Sequence, residues 1–139
     1  MAVAETNGKT MLHLCEMNRG MHRIYPSHWC KGGTCEVQTV RIDDIIQEAD
    51  FIKMDIEGAE LGALKGMTKL LKKCDITIIM EFLPSSIEEY GAKPRNIHDL
   101  LTSLGYDLKL SLKNSISFEQ VEKIAREQTG TNIICTHIS

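Results

Sequence analysis

Four acidic residues stand where an α/β chain would do chemistry. In FIKMDIEGAELGALKG, residues 51–66, an apolar run delivers Asp55 and Glu57 to its carboxyl end, just ahead of a helical pattern that opens with Glu60. A later apolar run, DITIIMEF, carries Glu81 near its own end. Ligands of open α/β sheets bind at that edge, where loops gather on a rigid platform. A carboxylate such as Asp55 could serve as a general base. Alternatively, Asp55, Glu57 and Glu81 could together hold a divalent cation, for which magnesium suits hard oxygen ligands. The residue types leave both open. The plainer reading is that Glu57 and Glu60 only complement a helix dipole. Gly58 fits a tight strand-to-helix turn, because it tolerates backbone angles that a side chain forbids.

A second set of candidate ligands lies in HRIYPSHWCKGGTC, where His22, His28, Cys30 and Cys35 are the right types for zinc. Their spacing is irregular, and Cys-x4-Cys is not the common knuckle, so a surface loop beside a pocket is the simpler expectation. His13, His98 and His137 lie in runs that read as strand or helix faces, where a hydrogen-bonded structural histidine is the ordinary role.

The elements that must position these residues can be read from periodicity. Asn7-Gly8 between two short apolar runs predicts a hairpin over residues 1–14. From Cys15 to Thr34 the pattern loses period and collects glycines and Pro26, which predicts a loop. From Glu36 onward short β-branched runs alternate with helical patterns, the mark of a parallel sheet with crossover helices. VQTVRI is a strand, DDIIQEA a helical turn or two, and ADFIKMDI a buried strand. AELGALKGMTKLLKKC reads as one helix, with acids at its start and lysines at its end. The unbroken apolar run DITIIMEF predicts a strand covered on both faces. Asn96 with Asp99 can cap a helix that ends at Gly105, DLKLSL is a strand, Ser117 and Gln120 make a capping box, and TNIICTHI is the last strand.

The bulk properties bound the function. With 139 residues, 42% hydrophobic and 25% charged, the chain has the composition of one ordinary globular domain. A net charge of -3 gives no basic face for nucleic acid. No run approaches a membrane span and no secretory leader opens the chain, so a cytoplasmic protein is expected. The five cysteines are odd in number, and Cys74 and Cys135 sit in apolar runs, so reduced thiols and no disulfide framework are expected.

The string IKMDIEGAELGALKG resembles the signature of the FkbM family of methyltransferases. VQTVRIDDII, IIMEF, LLTSLGYDL and TNIICTH resemble the family's flanking elements in the same order, and AVAETNGKTMLHL resembles the segment after its third strand. The resemblance implies a Rossmann-like, class I enzyme that moves a methyl group from S-adenosylmethionine to a hydroxyl, often on a sugar or secondary metabolite. It implies Asp55 and Glu57 as catalytic residues, with Glu60 and Glu81 contacting the substrate. The family's glycine-rich cofactor turn has no counterpart, since Gly20 and Gly32-Gly33 do not follow an apolar strand, and no cofactor-binding residue is assigned. The chain is therefore expected to be the C-terminal half of that sheet, behind a hairpin and a loop. Its strands should lie near 51–55, 76–82, 107–112 and 132–138, the first three parallel and the last antiparallel between its neighbours. The strand at 51–55 would then be an exposed edge, to be covered by the hairpin, a second copy or a separate N-terminal half. The competing function is a non-catalytic α/β interaction domain.

Overall fold

The computed structural model describes residues 1–16, 18–111 and 114–138. Among these, two sheets form. The larger carries β4 (Phe51–Met54), β5 (Thr77–Phe82), β6 (Tyr106–Ser111), β7 (Asn114–Ser115) and β8 (Thr131–His137), in the order β4-β5-β8-β6-β7. β4 and β5 are parallel, and β8 runs antiparallel to both β5 and β6. The closing strand thus lies inside the sheet, as expected. Leu112, in the expected third strand, lies outside the described residues.

The amino-terminal expectation fails. β1 (Ala2–Val3) and β2 (Gly8–His13) do not pair with each other as a hairpin; both flank β3 (Thr34–Val40), parallel and antiparallel respectively. Asn7 is used differently from a hairpin turn. Its side chain accepts from Arg41 N at 2.8 Å and donates to Asp44 at 2.7 Å, tying the β1–β2 connection to the far end of β3. This small sheet does not pair with β4, so that expected cover of the edge is absent too.

All the α-helices of the described residues feed one hydrophobic cluster. α1 (Glu60–Lys65) and α2 (Thr68–Lys73) contribute Leu64 and Leu71; α3 (Pro84–Glu89), α4 (Pro94–Ser103) and α5 (Phe118–Glu127) contribute Ile87, Leu101 and Val121. They meet Met54, Ile78, Met80, Phe82, Ile133 and Cys135, which share one face of the sheet. The opposite face is only half covered: Ile79 and Ile134 are partly buried, and Phe51 is 55% exposed. The expectation of two covered faces for β5 therefore holds for one, because the continuous apolar run states that both faces are apolar and not that both have partners.

Local signals were legible where a side chain acts on its own backbone. Ser117 and Gln120 form the capping box of α5, and Gly105 takes a positive φ of 85° after α4. α4 itself starts earlier than the expected Asn96–Asp99 cap, because Pro94 occupies its first turn; Asn96 instead accepts from Lys93 N at 3.2 Å. DDIIQEA gives only a 3-10 turn at Ile42–Asp44.

The long helix expected over residues 59–74 is broken at Gly66-Met67. Gly66 packs against the carbonyl of Ala4 so closely that a Cβ would overlap it. The second piece then needs its own cap, which arrives from elsewhere in the chain. The carboxylate of Asp43 accepts from Leu70 N at 2.9 Å and Lys69 N at 3.1 Å, while Gly66 O accepts from Asp43 N at 3.0 Å. The Asp43 side chain is fully buried beside Arg41. Asp43→Ala should therefore cost about 2 kcal/mol or more, the loss of a cap plus stranded donors, while Asp44→Ala at the exposed Asn7 contact should cost under about 0.5 kcal/mol. Urea denaturation of the two variants checks the contrast.

Candidate functional site

Because β4 and β5 are parallel with Met54 opposite Met80, the residue after each lies at the same carboxyl edge, and Asp55 comes beside Glu81. Glu57 reaches the same point through a turn in which it and Gly58 both take positive φ, 58° and 100°. One carboxylate oxygen from each of Asp55, Glu57 and Glu81 then lies within 4.8 Å of the others. Asp55 is 52% exposed, and with Glu57 it lines a cleft of about 250 Å³ alongside Leu12, His22, Ile56 and Ala59.

Glu60 does not join them. Its Oε1 accepts from Gly58 N at 3.2 Å and Ile56 N at 3.3 Å, so the carboxylate folds back onto the turn and is 2% exposed. The expected substrate contact of Glu60 is corrected accordingly: it holds the backbone that presents Glu57. Gly58 is required for two reasons, its left-handed φ and the carbonyl of Ser86, which a Cβ would penetrate.

Two residues the sequence pattern did not single out complete the site. Arg23, 4% exposed, donates through Nη2 to Glu57 Oε2 at 3.0 Å and through Nη1 to Glu89 Oε2 at 2.7 Å. Tyr25, also buried, donates through its hydroxyl to Glu57 O at 2.7 Å, with Ser86 O at 3.2 Å. Both come from the loop after β2, 34 and 32 residues before their partner, and no spacing signal connects an aperiodic loop to a distant turn. Beside them a groove of about 620 Å³ runs past His28, Trp29, Leu83, Ser86 and Glu89, and Trp29 is 60% exposed.

The zinc reading is corrected by the same loop. Cys30 is bonded to Cys15 in a disulfide, Cys35 is an exposed free thiol on β3, His28 pairs with Glu89 at 3.3 Å, and His22 accepts from Cys15 N at 3.1 Å. The four expected ligands do not come together among the described residues. The Cys15–Cys30 link also overturns the expectation of no disulfide, while Cys74 and Cys135, the two positions expected to be reduced, are free thiols.

The electrostatics favour a proton at the edge. Burial pushes the Glu81 carboxyl above the usual range, and the like charges of Asp55 and Glu57 push it further, against the opposing Lys53 and Arg23. Glu60 is raised by burial, against the backbone donors that favour its ionised form. Positive charge already attends two of the three clustered acids, Arg23 on Glu57 and Lys53 on Asp55 at 3.3 Å. A divalent cation held by this triad would compete with both.

Gly58→Ala should destabilise by at least about 2 kcal/mol, since strain and backbone overlap both oppose it, and a urea titration reads this directly. Glu60 has a folded-state pKa above its unfolded one. Its contribution is therefore fully present below the ordinary carboxylate range and is lost as pH rises through the raised value. Glu60→Gln removes that titration, so melting curves from about pH 4 to about pH 8 should show the unmodified protein losing ground to the variant as pH rises. Parallel curves would contradict the assignment.

The comparisons with known proteins give one result. No curated protein and no solved structure matches the chain. The model of the FkbM methyltransferase domain matches residues 16–108, more than half of the chain, and spans the loop with Arg23, the Asp55–Glu60 turn and Glu81. This chain belongs to the FkbM methyltransferase domain family.

Proposed function

We propose that the chain forms the acceptor side of an S-adenosylmethionine-dependent O-methyltransferase, in which the Asp55–Glu57–Glu81 cluster receives a hydroxyl and removes its proton. The observation that carries this reading is the convergence of those three carboxylates within 4.8 Å at the carboxyl edge of parallel strands, in a chain of this family. The exposed Asp55 accepts the hydroxyl's hydrogen bond. Glu57, held by Arg23, fixes the direction of approach. Glu81 takes the proton, since its raised pKa brings a carboxylate closer to the basicity that general-base catalysis near neutral pH requires. The 620 Å³ groove past Trp29 has room for the body of a sugar-sized or larger acceptor.

The cofactor supplies the methyl group, and this chain's residues do not by themselves fit around it. The cleft over Asp55 and Glu57 is about 250 Å³, below the roughly 300–1,000 Å³ typical of cofactor sites, and no glycine-rich turn borders it. We infer that further strands complete the grip along β4. That strand pairs only with β5 among the described residues, and its first residue, Phe51, is exposed on the half-covered face. The occupant of this edge is an N-terminal half of the fold or a second copy of the chain. A magnesium-assisted variant of the same chemistry is favoured by the three convergent oxygens and opposed by Arg23 and Lys53.

The test is to measure S-adenosylmethionine binding by calorimetry, and methyl transfer to a panel of polyhydroxyl acceptors, for the chain alone and mixed with the N-terminal strands of another family member. Binding and transfer are expected in the mixture, with Glu81→Gln lowering kcat by about 100-fold or more. Activity abolished by a chelator and restored by magnesium would select the cation variant. No binding in either sample would favour the interaction-domain reading.

A further inference from the structure

The described residues of the segment from Cys15 to Thr34 add nothing to the main hydrophobic cluster, and among them only Cys15, Arg23 and Tyr25 are buried. What keeps it on the body is short. His13 and Arg23 exchange backbone hydrogen bonds of 2.7 and 3.2 Å, Leu14 is bonded to Gly32 and Gly33 at 2.8 and 2.9 Å, and Arg23 and Tyr25 reach Glu57, Ser86 and Glu89. Around these runs one covalent link, Cys15–Cys30, with a sequence separation of 15. Its two ends bracket Arg23 and Tyr25, the two residues of this loop that reach the Glu57 turn.

We propose that the Cys15–Cys30 disulfide is a redox-sensitive clamp on the acidic site: closed, it keeps Arg23 and Tyr25 seated on the Glu57 turn, and opened by a dithiol it releases them. The inference goes beyond methyl transfer and does not depend on it. In the opening step a thiolate of the dithiol attacks one sulfur and the Cys15–Cys30 bond breaks. The second thiolate then attacks the dithiol's own sulfur in the mixed disulfide, closing the dithiol's S–S bond and expelling the protein cysteine as a thiolate. Two electrons pass to the cysteine pair, the dithiol leaves as its own disulfide, and its two protons end on Cys15 and Cys30. Cys30 is the accessible target, being half-buried where Cys15 is buried.

The site is built to respond. Glu57 holds a left-handed backbone conformation beside two other carboxylates, and its opposing supports are the Tyr25 hydroxyl on its carbonyl and the Arg23 guanidinium on its side chain. Withdrawing both removes the positive charge beside Glu57 and leaves the strained turn to Glu60 alone among its hydrogen-bonded supports, which loosens it. The other thiols do not confuse the effect. Cys135 is buried, with its thiol pushed up to about 12 by that burial, and Cys74 is partly buried, which leaves Cys35 as the exposed thiol to control for.

The experiment uses the full chain, air-oxidised or treated with dithiothreitol, with hydrogen exchange followed by mass spectrometry on peptides covering residues 18–29 and 55–60. Non-reducing peptide mapping first establishes the Cys15–Cys30 link. Reduction should speed exchange in 18–29 by up to roughly a hundredfold, the loop-closure entropy of a loop this size, and should also speed it at Gly58 and Ala59. The emission of Trp29, the single tryptophan, should change in the same titration. Cys35→Ser should behave as the unmodified protein, and Cys15→Ser/Cys30→Ser should match the reduced state with or without dithiothreitol. If that double variant does not fold, the comparison of oxidised with reduced unmodified protein still decides. Absence of the linked peptide, or a link whose reduction leaves residues 55–60 unchanged, overturns the proposal.

Discussion

The site hangs on a turn of two consecutive left-handed residues, Glu57 and Gly58. A non-glycine residue at positive φ is unfavourable unless its surroundings over-determine it, and here three groups do so from three directions. Glu60 binds the amides of Ile56 and Gly58 from below, Tyr25 binds the carbonyl of Glu57, and Ser86 fills the space that any side chain at residue 58 would need. The result is that Glu57 leaves the helix start and turns toward Asp55 and Glu81. Without that turn the chain would have acids near a helix N-terminus, a common and inert arrangement.

The same economy joins the amino-terminal sheet to the body. Gly66 gives up its side chain to the carbonyl of Ala4, which breaks the helix, and Asp43 caps the piece that follows. A buried carboxylate on two backbone amides, with Arg41 at 3.3 Å, exchanges one continuous helix for a fixed docking of β3's exit onto α2. The contact also places β2, and with it the loop that carries Arg23 and Tyr25, on the carboxyl side of β4.

The five-stranded sheet is asymmetric. One face holds the helices and the continuous cluster from Met54 to Cys135, while the other leaves Phe51 exposed and Ile79 and Ile134 half-covered. Burial of apolar surface is worth about 25 cal/mol per Å², so a half-dressed sheet face beside the outer edge of β4, unpaired among the described residues, is where added chain would gain most. The acidic cluster lies at the end of this same edge, where β4 and β5 deliver Asp55 and Glu81.

What the amino acids determined alone were the features whose physics is local. Periodicity marked β4, β5, β6 and β8, Ser117 with Gln120 and Gly105 marked helix ends, and the strings IKMDIEGAE and IIMEF carried Asp55, Glu57 and Glu81 to one edge once the strands were parallel. Each rests on neighbours within a few residues, or on a strand order that the family resemblance implied. Tertiary structure decided what depends on groups far apart in the chain. The insertion of β3 between β1 and β2, the break at Gly66 under Ala4, the pairing of Cys15 with Cys30 and the arrival of Arg23 at Glu57 each join positions with no shared period. A hydrogen bond or a steric contact carries no mark in the sequence until packing brings its two ends within about 3 Å, and at this site that proximity, more than residue type, assigns each acid its part.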